Sequence, residues 1–220
     1  MYKRQYLRCP KLANVLITRL VGFAVILAVF VVAVGAYTRL ADAGLGCPDW
    51  PGCYGFLTVP EAVADVSLAE ARYPDAPVEV TKAWWEMGHR YIAGALLLLV
   101  FAIFVVAWRG RQENTPTTFM SVLLVIILCQ AAFGAWTVTL KLWPQVVTAH
   151  LLGGFTTLSL LWLVLLRQGV FPSIHRGLPT PGKHAVIALA AVIGQIALGG
   201  WVSSNYAALA LSLIHISEPT

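Results

Sequence analysis

Two histidines and a carboxylate stand where an apolar chain carries few polar groups. Glu86-Met-Gly-His89-Arg90 opens one long apolar run, and Thr148-Ala-His150-Leu opens another. Glu86 and His89 are three residues apart, so on a helix they share one face. A neutral imidazole is a metal ligand, and a carboxylate one turn away can act as a base or stabilise developing positive charge. Cys47 and Cys53 add a second kind of chemistry, within Gly44-Leu-Gly-Cys47-Pro-Asp-Trp-Pro-Gly-Cys53. A turn that rich in Gly and Pro holds either a disulfide or two close thiols. Arg39 and Arg90, at the ends of apolar runs, suit charge-assisted pairing with carboxylates, or simple snorkelling at a membrane surface.

The elements that must position these groups follow from composition. Of 220 residues, 59% are hydrophobic and 11% charged, with mean hydropathy +0.76. A soluble domain needs more polar surface than this, so an integral membrane protein is expected. Five runs can each cross a hydrocarbon core as a helix: residues 16–38, 85–108, 119–139, 146–166 and 184–203. They are continuously apolar rather than alternating, which implies helices and not barrel strands. The first run is too long for a cleaved signal peptide and reads as a retained span.

The net charge is +5, but its placement says more than its size. Lys3, Arg4, Arg8, Lys11 and Arg19 precede or open the first span; Arg109, Arg111, Arg167, Arg176 and Lys183 lie in the other loops of the same side. The alternate loop, residues 39–84, carries Asp42, Asp49, Glu61, Asp65, Glu70, Asp75 and Glu79. Positive charge stays inside, so the N-terminus is expected in the cytoplasm and the acidic loop outside. Basic residues clustered between spans set topology, which argues against a nucleic-acid partner. Trp50, Trp84, Trp85, Trp136 and Trp143 collect toward the outer ends, as an interfacial aromatic belt does. Cys9 and Cys129 read as ordinary small thiols.

With that topology the second and fourth spans run in the same direction, and His89 and His150 fall at nearly the same depth. Two imidazoles at one depth on non-adjacent helices suit a six-coordinate heme. Gly88, Ala93 and Gly94, and Gly153, Gly154 and Thr157, leave room for a flat macrocycle, although small residues also serve close helix packing. Either histidine alone fits an interfacial hydrogen-bonding role. Zinc is disfavoured, because no further ligand residue stands at suitable spacing beside His150. Glu86 reads equally as a carboxylate paired with Arg90 or Lys82 and as a working acid–base group.

An internal echo runs along the chain. Gln130-Ala-Ala-Phe-Gly134-Ala-Trp136 matches Gln195-Ile-Ala-Leu-Gly199-Gly-Trp201, and Gly35-Ala-Tyr37 is a looser relative. Such repeats point to duplication of a helical unit. The last ten residues, 211–220, read like a translated sequencing adapter and not like a loop, so the natural chain is expected to continue past Ala210.

These residues resemble a known family. Gly35-Ala-Tyr-Thr-Arg39-Leu with the Cys47–Cys53 segment, Glu86-x-x-His89-Arg90, and Thr148-Ala-His150-Leu together resemble the heme A synthases. The resemblance implies an all-α membrane protein of eight spans in two similar four-helix halves. The segments expected here are a cytoplasmic N-terminus (1–15), an N-terminal four-helix half (16–167) with its outer loop (39–84), an inner linker (168–183), and the first helix of the second half (184–210). The reaction implied is oxidation of a methyl group of heme O to a formyl group by successive hydroxylations with oxygen from water, giving heme A for terminal oxidases. By resemblance Glu86 matches the essential carboxylate, and His89 with His150 the axial pair at the substrate heme. Arg39 and Arg90 would pair with propionates, and Cys47–Cys53 would form a disulfide. A heme b would occupy the half not present, without which the reaction would not be completed. The implied partners are heme O, heme O synthase, an electron acceptor and the lipid of the inner membrane, with self-association left open. The alternatives are a b-type cytochrome subunit, which needs no Glu86, and a transporter, whose polar groups should sit near mid-membrane.

Overall fold

The computed structural model describes residues 12–110, 117–168, 170 and 182–207. The N-terminal basic cluster with Cys9, the positions Arg111 and Arg176, most of the 168–183 linker, and the 211–220 tail with His215 lie outside these residues. Six helices make up the described chain: α1 (Leu12–Leu40), α2 (Val63–Arg72), α3 (Val80–Gly110), α4 (Thr117–Thr139), α5 (Pro144–Arg167) and α6 (Lys183–Ser204). All but α2 are long and apolar enough to span a membrane. In lipid a helix satisfies every backbone polar group within itself, which is why the continuous apolar runs become helices. The chain is an all-α, multi-pass membrane protein.

Four of the spans close into a ring. α1 packs on α3, α3 on α4, α4 on α5, and α5 back on α1. This places α3 diagonally across from α5, and α1 across from α4. The sixth helix joins the ring from outside by packing on α5.

The ring is filled differently along its axis. Away from the long loop, Ile17, Val21, Ala24 and Ala28 of α1 meet Leu96, Val100, Ile103 and Ala107 of α3. Met120, Leu123 and Ile127 of α4, with Leu161 and Val164 of α5, complete this core. Their three- and four-residue spacing is one face of each helix. In a bilayer the gain comes from van der Waals packing, because the lipid-facing side chains stay as apolar as the core. Phe23, Ile26, Phe30, Leu98, Phe101, Val125 and Leu128 face outward accordingly. Toward the long loop this apolar filling stops, and the histidines take its place.

The loop has a core of its own. Cys47, Cys53, Tyr54, Val59, Ala69, Ala83 and Met87 are buried together. Helix α2, which the apolar pattern did not announce, supplies Ala69 to it. Its ten residues include Asp65 and Glu70 and are too few and too polar to give a periodic signal. The loop also lies along α3. Tyr91 Oη donates to the Leu57 carbonyl at 2.8 Å, and the Trp84 indole N–H donates to Glu61. Consequently α3 begins at Val80, a turn before its apolar run.

Candidate functional site: a histidine pair across the bundle diagonal

His89 leaves α3 toward α1, where it lies beside the main chain of Val31 and against Gly35. His150 leaves α5 toward α4, beside the main chain of Gln130 and against Gly134. The arrangement repeats: in each case the membrane span before the histidine's own offers a main-chain group and, four residues later on the same face, a glycine. Nδ1 of each histidine is buried and has no hydrogen-bond partner among the described residues.

A neutral imidazole has one donor and one acceptor nitrogen, and leaving one buried and unpaired is costly. Two imidazoles so seated on diagonal helices, each with one nitrogen turned in against the protein, leave the other nitrogen for axial ligation of an iron porphyrin, which itself would supply the other four ligands. Among the described residues no group of three or more His, Cys, Asp or Glu comes together to hold a bare ion. The small residues divide. A Cβ added at Gly88, Gly94 or Gly154 would meet nothing within 4 Å, whereas one at Gly153 would collide with the Gln130 amide. Gly153 therefore seats a neighbouring side chain, and Thr157 Oγ1 donates back to its carbonyl at 2.9 Å.

Glu86 sits one turn before His89 and is only 4% exposed. Its Oε2 accepts the Cys47 N–H at 2.9 Å, and its Oε1 pairs with the Arg90 guanidinium. Arg90 also donates to the Gly52 carbonyl. The pair thus bolts the cysteine turn onto α3. Lys82 pairs with Glu79 instead, at 3.0 Å. The Cys47–Cys53 disulfide is formed. Within the turn, Asp49 accepts the N–H groups of Tyr54 and Gly55 at 2.6 and 2.8 Å, and Trp50–Pro51 is cis. Cys129 is a free, exposed thiol on α4.

The Arg39 guanidinium lies over the Tyr206 ring, 4.3 Å from its centroid. It donates to Tyr206 Oη at 3.0 Å and to the Ser203 carbonyl at the end of α6. Asp42 stands 3.7 Å away and accepts from Tyr206 Oη at 2.7 Å. Among the described residues only Nε of Arg39 remains buried and unpaired in this cluster. Both arginines thus hold protein groups together at the loop end.

Tyr54 is buried beneath the disulfide turn, with its hydroxyl donating to the Pro77 carbonyl at 3.0 Å. Burial raises its pKa above the usual tyrosine value, and the carboxylates of Glu79, Glu86, Asp49 and Glu70 add to the effect.

Residue type and spacing singled out the histidines, Glu86, both arginines and the cysteines, but passed over Gly35 and Gly134 as site residues. The signal was present in the echo, whose shared position is Gly35, Gly134 and Gly199. In α1 and α4 that glycine faces a histidine. In α6 it meets nothing within 4 Å, while the adjacent Gly200 packs against Leu151 and Thr148 of α5.

A family model described as COX15-CtaA, cytochrome oxidase assembly protein, matches residues 18–218. The chain belongs to this family. Within it, the chain is 46% identical over 204 residues to the heme A synthase of Shewanella oneidensis, a match covering 92% of this chain and 61% of the relative. It is 32% identical over 205 residues to a heme A synthase of Methylorubrum extorquens, covering 84% and 53%. The heme A synthase of Chelativorans sp. is 30% identical over 220 residues, covering 90% and 60%. The chain therefore spans little more than half the length of these curated relatives. No solved structure matches it significantly.

Proposed function

We propose that this chain forms the substrate-heme half of a heme A synthase, with His89 and His150 as axial ligands. The observation that carries the reading is the pair of imidazoles on diagonal helices, each seated against a glycine of a neighbouring span. The family and the names of the relatives support it. The substrate is heme O, and the methyl group oxidised to formyl gains its oxygen from water. The balance is R–CH3 + H2O → R–CHO + 4 H⁺ + 4 e⁻, so an electron acceptor is required.

The residues divide the work. The histidines hold the substrate in one orientation across the bundle. Glu86, one turn from His89, stabilises positive charge developing beside the methyl carbon and accepts a proton from the attacking water. For that it must turn from the Cys47 N–H and Arg90 toward the substrate, or act through a water from its present position. Arg39 and Arg90 frame the loop end, where propionates would find guanidinium partners.

The rest of the protein follows from the repeat. A second four-helix half begins with α6 and carries a heme b, with the 168–183 segment as the linker between the halves. Heme O synthase delivers the substrate, within the inner membrane, and the N-terminus faces the cytoplasm with the disulfide loop outside. The test is to express the complete gene in cells that make heme O but no heme A, then extract and identify the hemes. Heme A is expected from the wild type and not from Glu86→Ala. Absence of heme A from the wild type refutes the enzyme and leaves an electron-transfer cytochrome. Normal heme A from Glu86→Ala refutes the role given to that carboxylate.

A further inference from the structure

We infer that Gly35 is a positioning residue for His89, fixing the plane of its imidazole against the backbone of α1. The inference rests on the heme-ligand reading of His89. A Cβ built on Gly35 would lie 2.8 Å from His89 Cε1 and 3.4 Å from both Nδ1 and Nε2. The ring therefore enters α1 corner first, with its two nitrogens spread symmetrically to either side. One helical turn earlier, the Val31 main chain lies beside the same ring. A carbon–carbon contact relaxes at about 3.5–4.0 Å, so a methyl group at position 35 would push the ring back by about 1 Å. The backbone of α1 cannot yield instead, because the Ala24 and Ala28 face of the same helix is locked in the buried core. The imidazole must then tilt or slide.

The opposite ligand is held less tightly. The same added Cβ at Gly134 would stand 3.4 Å from His150 Cε1 and 3.9 Å from Nε2, an ordinary contact. The two seats share a design and differ in tolerance, so the axial pair is asymmetric: one ring is clamped by α1, while the other can adjust. Groups that orient a metal-ligating histidine typically change metal affinity by ~10–100-fold when altered.

The test uses the full chain, purified in detergent and titrated with hemin, read by absorption and electron paramagnetic resonance. Wild type is expected to give a low-spin, six-coordinate spectrum. Gly35→Ala should shift or abolish the low-spin signal and weaken hemin binding ~10–100-fold. Gly134→Ala should perturb the spectrum less than Gly35→Ala, and Gly22→Ala should leave it unchanged; a Cβ at Gly22 meets nothing within 4 Å. A wild-type spectrum and affinity in Gly35→Ala overturns the inference while leaving the ligand reading intact. Failure of the wild type to form the six-coordinate species overturns both. A double mutant separates positioning from helix packing: with His89→Ala the ring is gone, so adding Gly35→Ala should cost no further thermal stability. If Gly35→Ala lowers Tm equally in both backgrounds, the glycine serves packing and the inference fails.

Discussion

At the scale of residues, the Glu86–Arg90 pair is the most consequential contact outside the histidines. A buried carboxylate survives only with partners, and here they include the Arg90 guanidinium and the Cys47 N–H. Removing the guanidinium leaves the charge stranded. Arg90→Ala should therefore destabilise the protein by about 3–5 kcal/mol, and adding Glu86→Gln should recover part of the loss. Thermal unfolding in detergent checks this, and equal stability of the single and double variants would contradict it. Tyr54 offers a pH-dependent counterpart. Its raised pKa means its contribution to stability is complete below the ordinary tyrosine pKa of about 10 and is lost as pH rises through the folded value. A late tyrosinate absorbance phase should vanish in Tyr54→Phe; loss of amplitude from the ordinary phase near pH ~10 instead would show that Tyr54 ionises normally. The residue types needed for chemistry were legible in the sequence because ionisable groups are rare there. The seats for the rings were not, because a glycine in a membrane helix also reads as a packing residue. Which of Arg90 and Lys82 pairs with Glu86 depended on the loop, and only three dimensions supply that.

Among elements, the loop between α1 and α3 is a small folded core seated on the bundle more than a connection. The Gly, Pro and Cys content of residues 44–53 announced a tight turn, and the disulfide is there. The short α2 and the turn's grip on α3 were not legible, since both depend on side chains meeting across distant positions. Gly46 shows how close that grip is. A Cβ there would lie 2.6 Å from the Lys82 carbonyl carbon and 2.7 Å from the Ala83 nitrogen, both main-chain atoms that cannot swing away. Gly46→Ala should lift the turn from α3, weaken the Cys47 N–H to Glu86 bond, and destabilise by about 1–3 kcal/mol. Limited proteolysis should then cut residues 41–79 faster than in wild type; equal protection would show that the backbones can separate without cost.

For the molecule as a whole, the ring of α1, α3, α4 and α5 separates two tasks along one axis. The half away from the loop is a dry, interdigitated core that fixes the helices. The half toward the loop holds the imidazoles, with Glu86 at its lip and a disulfide turn clamped above it. Sequence length and hydropathy were enough to give five spans, because helix is the only open-ended way to satisfy backbone groups in lipid. They could not give the ring order, which places the histidine helices on a diagonal, nor the Arg39 cluster that ties α1 to the end of α6. The central claim is that His89 and His150 ligate one heme across that diagonal. Its most direct test is the absorption and electron paramagnetic resonance spectrum of the hemin-loaded chain with each histidine replaced in turn. A low-spin, six-coordinate iron is predicted in the wild type, and its loss in both His89→Ala and His150→Ala. An unchanged low-spin spectrum in either variant would contradict the claim.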